Sequence, residues 1–110
     1  MAIAYKVLGQ QAPASTSNVD VYTVGAGKSA IVSSLIIANT TASSATARVF
    51  LRIGGAAAAT SNALAYDVTV SANSHAAFTE GWTMAATDVL TVQSGTSNAL
   101  TFTLTGSEIS

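Results

Sequence analysis

The chain has no cysteine, one histidine and very few charges. Of its 110 residues, four are basic (Lys6, Lys28, Arg48, Arg52) and five acidic (Asp20, Asp67, Glu80, Asp88, Glu108), 8% in all. A soluble domain usually carries about 25%. Without cysteine there are neither disulfides nor thiolate metal ligands. With so few titratable groups, acid–base catalysis has little to work with. A formal net charge of -1 leaves no electrostatic footprint for nucleic acid or an anionic membrane. No apolar run approaches the roughly 20 residues of a membrane-spanning helix; the longest aliphatic stretch, Leu35-Ile36-Ile37-Ala38, stops at Asn39. Ala12-Pro13-Ala14 imitates a signal-cleavage site. However, Met1 to Leu8 has no basic leader region and Lys6 interrupts its apolar stretch, so no cleaved signal is expected.

What is present is small and weakly polar. Ser, Thr, Ala and Asn must supply most of the surface. Such a surface repels neighbours weakly and loses little side-chain entropy when covered. Residues 1–110 read as one domain, with 1–18 supplying an N-terminal strand and a linking arm. A domain of this size buries only about 60–70% of its unfolded surface, so packing against other chains would add to a thin margin.

The apolar pattern is that of strands. In Ala99 to Thr105, Leu100, Phe102 and Leu104 alternate with threonines, which puts apolar groups on one face and hydroxyls on the other. Ala47 to Ile53 alternates too: Val49, Leu51 and Ile53 are expected in the core with the Leu100 strand, and Arg48, Phe50 and Arg52 outside. Ala30 to Ala38 is apolar on both faces (Ile31, Leu35 and Ile37 against Val32 and Ile36), as a central strand requires. Val19 to Val24, a strand with Leu64, Tyr66 and Val68 on one face, Ser74 to Thr79, Val89 to Gln93 and Ala4 to Leu8 complete the set. Turn chemistry separates them at Gly25-Ala26-Gly27, Asn39 to Ser44, Gly54-Gly55, Ser71-Ala72-Asn73, Gly81 and Ser94-Gly95-Thr96. The run Ala56 to Ala59 reads as a loop with at most one helical turn. About eight short strands at this spacing predict an all-β antiparallel sandwich of jelly-roll type.

Apparent chemical motifs fail on inspection. Gly25-Ala26-Gly27-Lys28-Ser29-Ala30 matches a dinucleotide fingerprint and ends like a phosphate loop. The segment beyond it reads as strand, not helix; no acidic residue stands some 20 positions on; and Tyr22 occupies the place of the first phosphate-loop glycine. His75 with Ser74 and Asp67 could be drawn as a triad, but there is no nucleophile elbow. One histidine and scattered carboxylates make no metal loop. Asn39-Thr40-Thr41 fits a glycan acceptor but lacks a secretory context. Trp82 near Glu80 is a thin candidate for sugar stacking; aromatic packing in the core or at an interface is the default. No catalytic, cofactor or metal site is expected. The suggestive surface feature is Arg48-Phe50-Arg52, an aromatic ring between two guanidinium groups. It reads equally as a subunit contact or as a face covered within the domain.

Several stretches together resemble small virion proteins of tailed bacteriophages, notably those of cyanobacteria. They are Ala4-Tyr5-Lys6-Val7-Leu8-Gly9-Gln10; Tyr22 to Ser34, followed by Ile37-Ala38-Asn39; Leu64-Ala65-Tyr66-Asp67; Val70-Ser71-Ala72-Asn73; Thr79-Glu80-Gly81; Met84 to Leu90; and Gly106 to Ser110. The resemblance covers nearly the whole chain and carries no catalytic motif. Gly25 departs from it, since proline is commoner there. It implies a non-enzymatic β-sandwich located in the virion and made in the host cytoplasm. The resemblance leaves the position in the particle open; the leading expectation is a capsid cement (decoration) protein, self-associated as a trimer and in contact with the major capsid protein or other virion subunits. Neck, tail or baseplate accessory proteins are the alternative within the same class, and a host-attachment carbohydrate-binding module is the alternative outside it. Neither nucleic acid nor membrane is expected as a partner.

Overall fold

The computed structural model describes residues 2–110. Nine strands succeed one another in chain order: β1 (Ile3–Gln11), β2 (Val19–Thr23), β3 (Ser29–Asn39), β4 (Ala45–Arg52), β5 (Ala63–Val70), β6 (His75–Phe78), β7 (Thr83–Met84), β8 (Val89–Ser94) and β9 (Leu100–Ile109). All pair antiparallel, and the pairs nest: β1 with β9, β2 with β8, β3 with β6 and β7, β4 with β5. The chain is therefore one long hairpin with its tip between β4 and β5. Rolling that hairpin sets β9 beside β3 and β8 beside β4. Two sheets result, β1-β9-β3-β6, with β7 also on β3, and β2-β8-β4-β5. This is the expected antiparallel sandwich, rolled as a jelly roll.

The core lies between the sheets. Leu100, Phe102 and Leu104 of β9 are buried while Thr101, Thr103 and Thr105 stay half-exposed, as the alternation requires. They meet Val32, Leu35 and Ile37 of β3 and Val49, Leu90 and Val92 from the facing sheet.

Three expectations about faces need correcting, each because a local irregularity breaks the two-residue period. In β3, the ladder to β9 slips between Val32 and Ser34. Val32 therefore joins Leu35 and Ile37 inside, and Ile31 points out at 43% exposure. In β5, Tyr66 and Asp67 together stand opposite the single residue Arg48, with Asp67 at φ 54°. Ala65 and Val70 are then buried and Val68 packs on the core, while Leu64 and Tyr66 are exposed. Ile53 is not in the core: the strand ends at Arg52, and Ile53 enters a 3-10 turn with Gly54 at φ 63°, leaving its side chain 73% exposed. Leu51 packs against the core without being fully buried. Ala56 to Ala59 is not helical; 3-10 turns flank it at Ile53–Gly55 and Thr60–Asn62.

The N-terminal strand runs to Gln11, further than the sequence suggests, and residues 12–18 cross to the second sheet. Pro13 is buried in this crossing, and its carbonyl accepts the Asn98 N–H at 3.1 Å. Gly9 of β1 passes close against β2. A Cβ there would overlap the Val21 carbonyl of β2, so only glycine lets β1 pass.

Phe102, fully buried at the centre of β9, should cost about 3–5 kcal/mol on replacement by alanine. Urea unfolding of Phe102→Ala measures this; a cost below about 1 kcal/mol would contradict the core described here.

Candidate functional site

The outer face of β2-β8-β4-β5 gathers Arg48, Phe50 and Arg52, since alternate residues of β4 point away from the core. Arg48 lies across the irregular turn of β5. Its Nε and Nη2 donate to the two oxygens of Asp67 at 2.7 and 3.2 Å, and its guanidinium carbon sits 4.0 Å from the centre of the Tyr66 ring. The two Arg48 hydrogen bonds hold the Asp67 carboxyl below its usual range. Arg52 works on the tip loop. Its Nη1 donates to Asp20 at 3.0 Å and to the Thr91 hydroxyl at 3.2 Å; Nε and Nη2 donate to the carbonyls of Ala56 and Gly55 at 2.7 and 3.1 Å. Asp88, itself buried, accepts the Gly54 and Ala85 N–H groups, both at 2.9 Å. The start of the tip loop is thereby fixed, and its Ala58 to Thr60 lie across a cleft from Phe50.

Phe50 is only 4% exposed and forms the floor of a cleft of about 530 Å³. Ser17, Asn18, Tyr66 and Gln93 are among its walls, and Ala58 to Thr60 close it on the loop side. The three residues singled out from the sequence do share one face, but the aromatic member is buried within the chain. Phe50→Ala should accordingly lose about 3 kcal/mol of folding free energy in dilute solution. Full stability in that variant would instead assign the ring to a contact outside the chain.

A second cluster sits between the sheets at the other end. Glu108 of β9 receives Lys6 Nζ at 3.2 Å and Lys28 Nζ at 3.4 Å on Oε1, and the Tyr22 hydroxyl donates to Oε2. Tyr22 belongs to β2, so this bond joins the two sheets. The Tyr22 bond, then the Lys6 bond, pull the Glu108 carboxyl down to about 2 from its ordinary 4.5. Burial, then the Glu108 contact, raise the Tyr22 phenol above its usual 10.0. Because the folded carboxyl binds its proton only near pH 2, the cluster's contribution is complete above about pH 4.5 and is lost as pH falls through about 2. Melting temperatures measured between pH 5 and pH 2 should fall less steeply in Glu108→Gln than in the parent; identical slopes would refute the assignment.

The remaining sequence candidates do not assemble into sites. Gly25 to Lys28 is a β-turn closed by Lys28 N–H to the Gly25 carbonyl at 3.2 Å, with Gly27 at φ 74°. It leads into strand β3, so no helix N-terminus faces a phosphate. His75 is exposed on β6, whereas Asp67 lies on the other sheet and is committed to Arg48. Asn39 is buried. Its amide donates to the carbonyls of Ser43 and Val70 at 2.8 and 3.1 Å, so it braces a loop and is not open to a glycan. Trp82 packs on the core beside Phe78, ring centres 6.1 Å apart. Among the described residues no three His, Asp or Glu side chains are grouped to hold a metal ion. Each of the four basic side chains has a carboxylate partner within the chain.

Sequence reasoning passed over one surface. Ile3, Tyr5 and Val7 of β1, 48%, 83% and 57% exposed, point away from the core together with Ile31. At this end of the sheet the charged cluster of Lys6 and Glu108 faces inward and the apolar side chains face out. The signal was present in the alternation Ile3-Ala4-Tyr5-Lys6-Val7, but alternation does not say which face is covered.

Among solved structures, a chain in the structure of infectious bursal disease virus, Gx strain, matches with a TM-score of 0.53 at 12% identity, covering 97% of this chain and 31% of that one. A chain from the Gt strain of the same virus matches at 0.51 and 8%, covering 97% and 32%. The chain thus spans about a third of the length of those solved chains. At these identities the likeness is one of fold. No protein-family model matches the chain, and no curated protein does.

Proposed function

We propose that the chain is a non-enzymatic structural protein of a bacteriophage virion, a cement (decoration) protein that sits on the capsid surface and stabilises the shell. The observation that carries this reading is the outward-facing apolar surface of Ile3, Tyr5, Val7 and Ile31 on a jelly roll whose basic side chains are all paired internally. An exposed apolar sheet face on a charge-poor domain is suited to being covered. Covering it stabilises by roughly 25 cal/mol per Å² of apolar area before association costs. The resemblance of its motifs to those of tailed-phage virion proteins and the likeness of fold to chains of a virus are in keeping with this reading. Its partners would be other virion subunits, the major capsid protein first, and further copies of itself.

A second reading rests on the cleft over Phe50. Tyr66 is 47% exposed at its rim, with Gln93 and Asn18 beside it. An aromatic ring flanked by amides is the equipment of a sugar-binding face, and a host-attachment module would use it.

Phage particles lacking the protein should assemble but rupture at lower temperature and on osmotic shock. Particles that are equally robust yet cannot attach to cells would favour the sugar-binding reading, with Tyr66→Ala abolishing attachment. Robust particles whose heads and tails fail to join would move the protein to the neck.

A further inference from the structure

The edge of β1 is an unfinished sheet. Ala2 and Ser110 exchange both backbone hydrogen bonds, each at 2.9 Å. Antiparallel pairing alternates, so Ala4 with Glu108 and Lys6 with Gly106 are the next bonded pairs towards β9. The N–H and C=O groups of Ile3, Tyr5 and Val7 therefore point to the open side. Among the described residues β1 is the terminal strand of its sheet, and β2 approaches it at Gly9. Residues Ile3 to Val7 are exposed throughout. Natural sheets usually protect a long apolar edge of this kind.

We propose that this edge is closed by a second copy of the chain, β1 against β1 antiparallel about a twofold axis at Tyr5. One register satisfies every open group. Tyr5 meets Tyr5 of the second copy, Ile3 meets its Val7, and Val7 meets its Ile3. These three residues are the ones whose backbone faces outward, so all three pairs are hydrogen-bonded pairs and together make six interchain bonds. The side chains agree with the backbone. On the outer face Ile3, Tyr5 and Val7 of each copy meet only apolar partners. On the inner face Ala4 meets Lys6 of the second copy, so the two lysines are never opposed, and each is already paired with its own Glu108. The contact is self-complementary and closes after two copies. The far edge of the sheet offers only the short strands β6 and β7, of four and two residues. A trimer, the expectation for a cement protein, needs two different patches to meet, whereas this edge matches itself. The pairing does not depend on the virion reading.

Tyr5→Pro isolates the contact. The Tyr5 N–H makes no bond to β9, so proline there removes no bond within the chain but blocks the central interchain pair. Sedimentation equilibrium at micromolar concentration should show a dimer for the parent, and a dissociation constant raised roughly tenfold or more for Tyr5→Pro. Circular dichroism should show that the variant keeps its strand content. Independently, the chain has no cysteine, so Tyr5→Cys introduces a single thiol facing its own copy. Hydrogen-bonded pairs have Cα atoms about 5.5 Å apart, within disulfide reach. Mild oxidation should convert Tyr5→Cys to a covalent dimer, and leave Ser43→Cys, on the exposed β3–β4 loop, monomeric on a denaturing gel. A parent that sediments as a monomer or trimer, or a Tyr5→Cys variant that crosslinks no faster than Ser43→Cys, would overturn the proposal.

Discussion

Strand β9 is paired along both edges, to β1 on one side and β3 on the other, and the roll depends on that double pairing. Its inner face carries Leu100, Phe102 and Leu104 into the middle of the core. Its far end brings Glu108 to the point where Lys6, Lys28 and Tyr22 converge. The same strand thus supplies apolar contact between the sheets at one end and a charged tie between them at the other. Remove β9 and β1 has no partner, β3 loses its longest ladder, and the link to β2 through Tyr22 disappears.

The scarcity of charge acquires a structural meaning in this setting. Arg48 holds Tyr66 and Asp67 of β5, Arg52 holds the tip loop, and Lys6 and Lys28 share Glu108. Each basic residue is paired with a carboxylate of the same chain, and most of the remaining surface is Ser, Thr, Ala and a few apolar side chains. Such a surface has little with which to steer charged ligands. What it offers is area: a shallow aromatic cleft on one sheet and an apolar, open-edged strand on the other. The edge is the more demanding of the two, because among the described residues the outward backbone groups of Ile3, Tyr5 and Val7 have no partner.

The Arg48-Phe50-Arg52 face and the β1 edge make an instructive pair. Both are alternating strands with an aromatic at the centre, and in the sequence only the first stood out as a candidate contact. In the fold Phe50 is buried beside a tip loop held by Arg52 and Asp88, which are distant from each other in the chain. Nothing bends over Tyr5 among the described residues. Which strand is covered was decided by where the loops go.

By itself the sequence determined the strand character of nearly every segment, the antiparallel sandwich, the inward face of β9 and the turn at Gly25 to Lys28. These rest on nearest-neighbour physics: period-two alternation, β-branched content, and glycine where φ must be positive. Only the tertiary structure decided the facing of Ile31, Tyr66 and Ile53. For Ile31 and Tyr66, one extra residue in a ladder inverts the side chains beyond it, and the extra residue is defined by the partner strand; for Ile53, the strand ends one residue earlier, at Arg52. The same holds for the meeting of Tyr22 with Glu108, 86 residues apart, and for the bare edge of β1. An edge is a position in a sheet, and a sheet exists only once distant strands have paired.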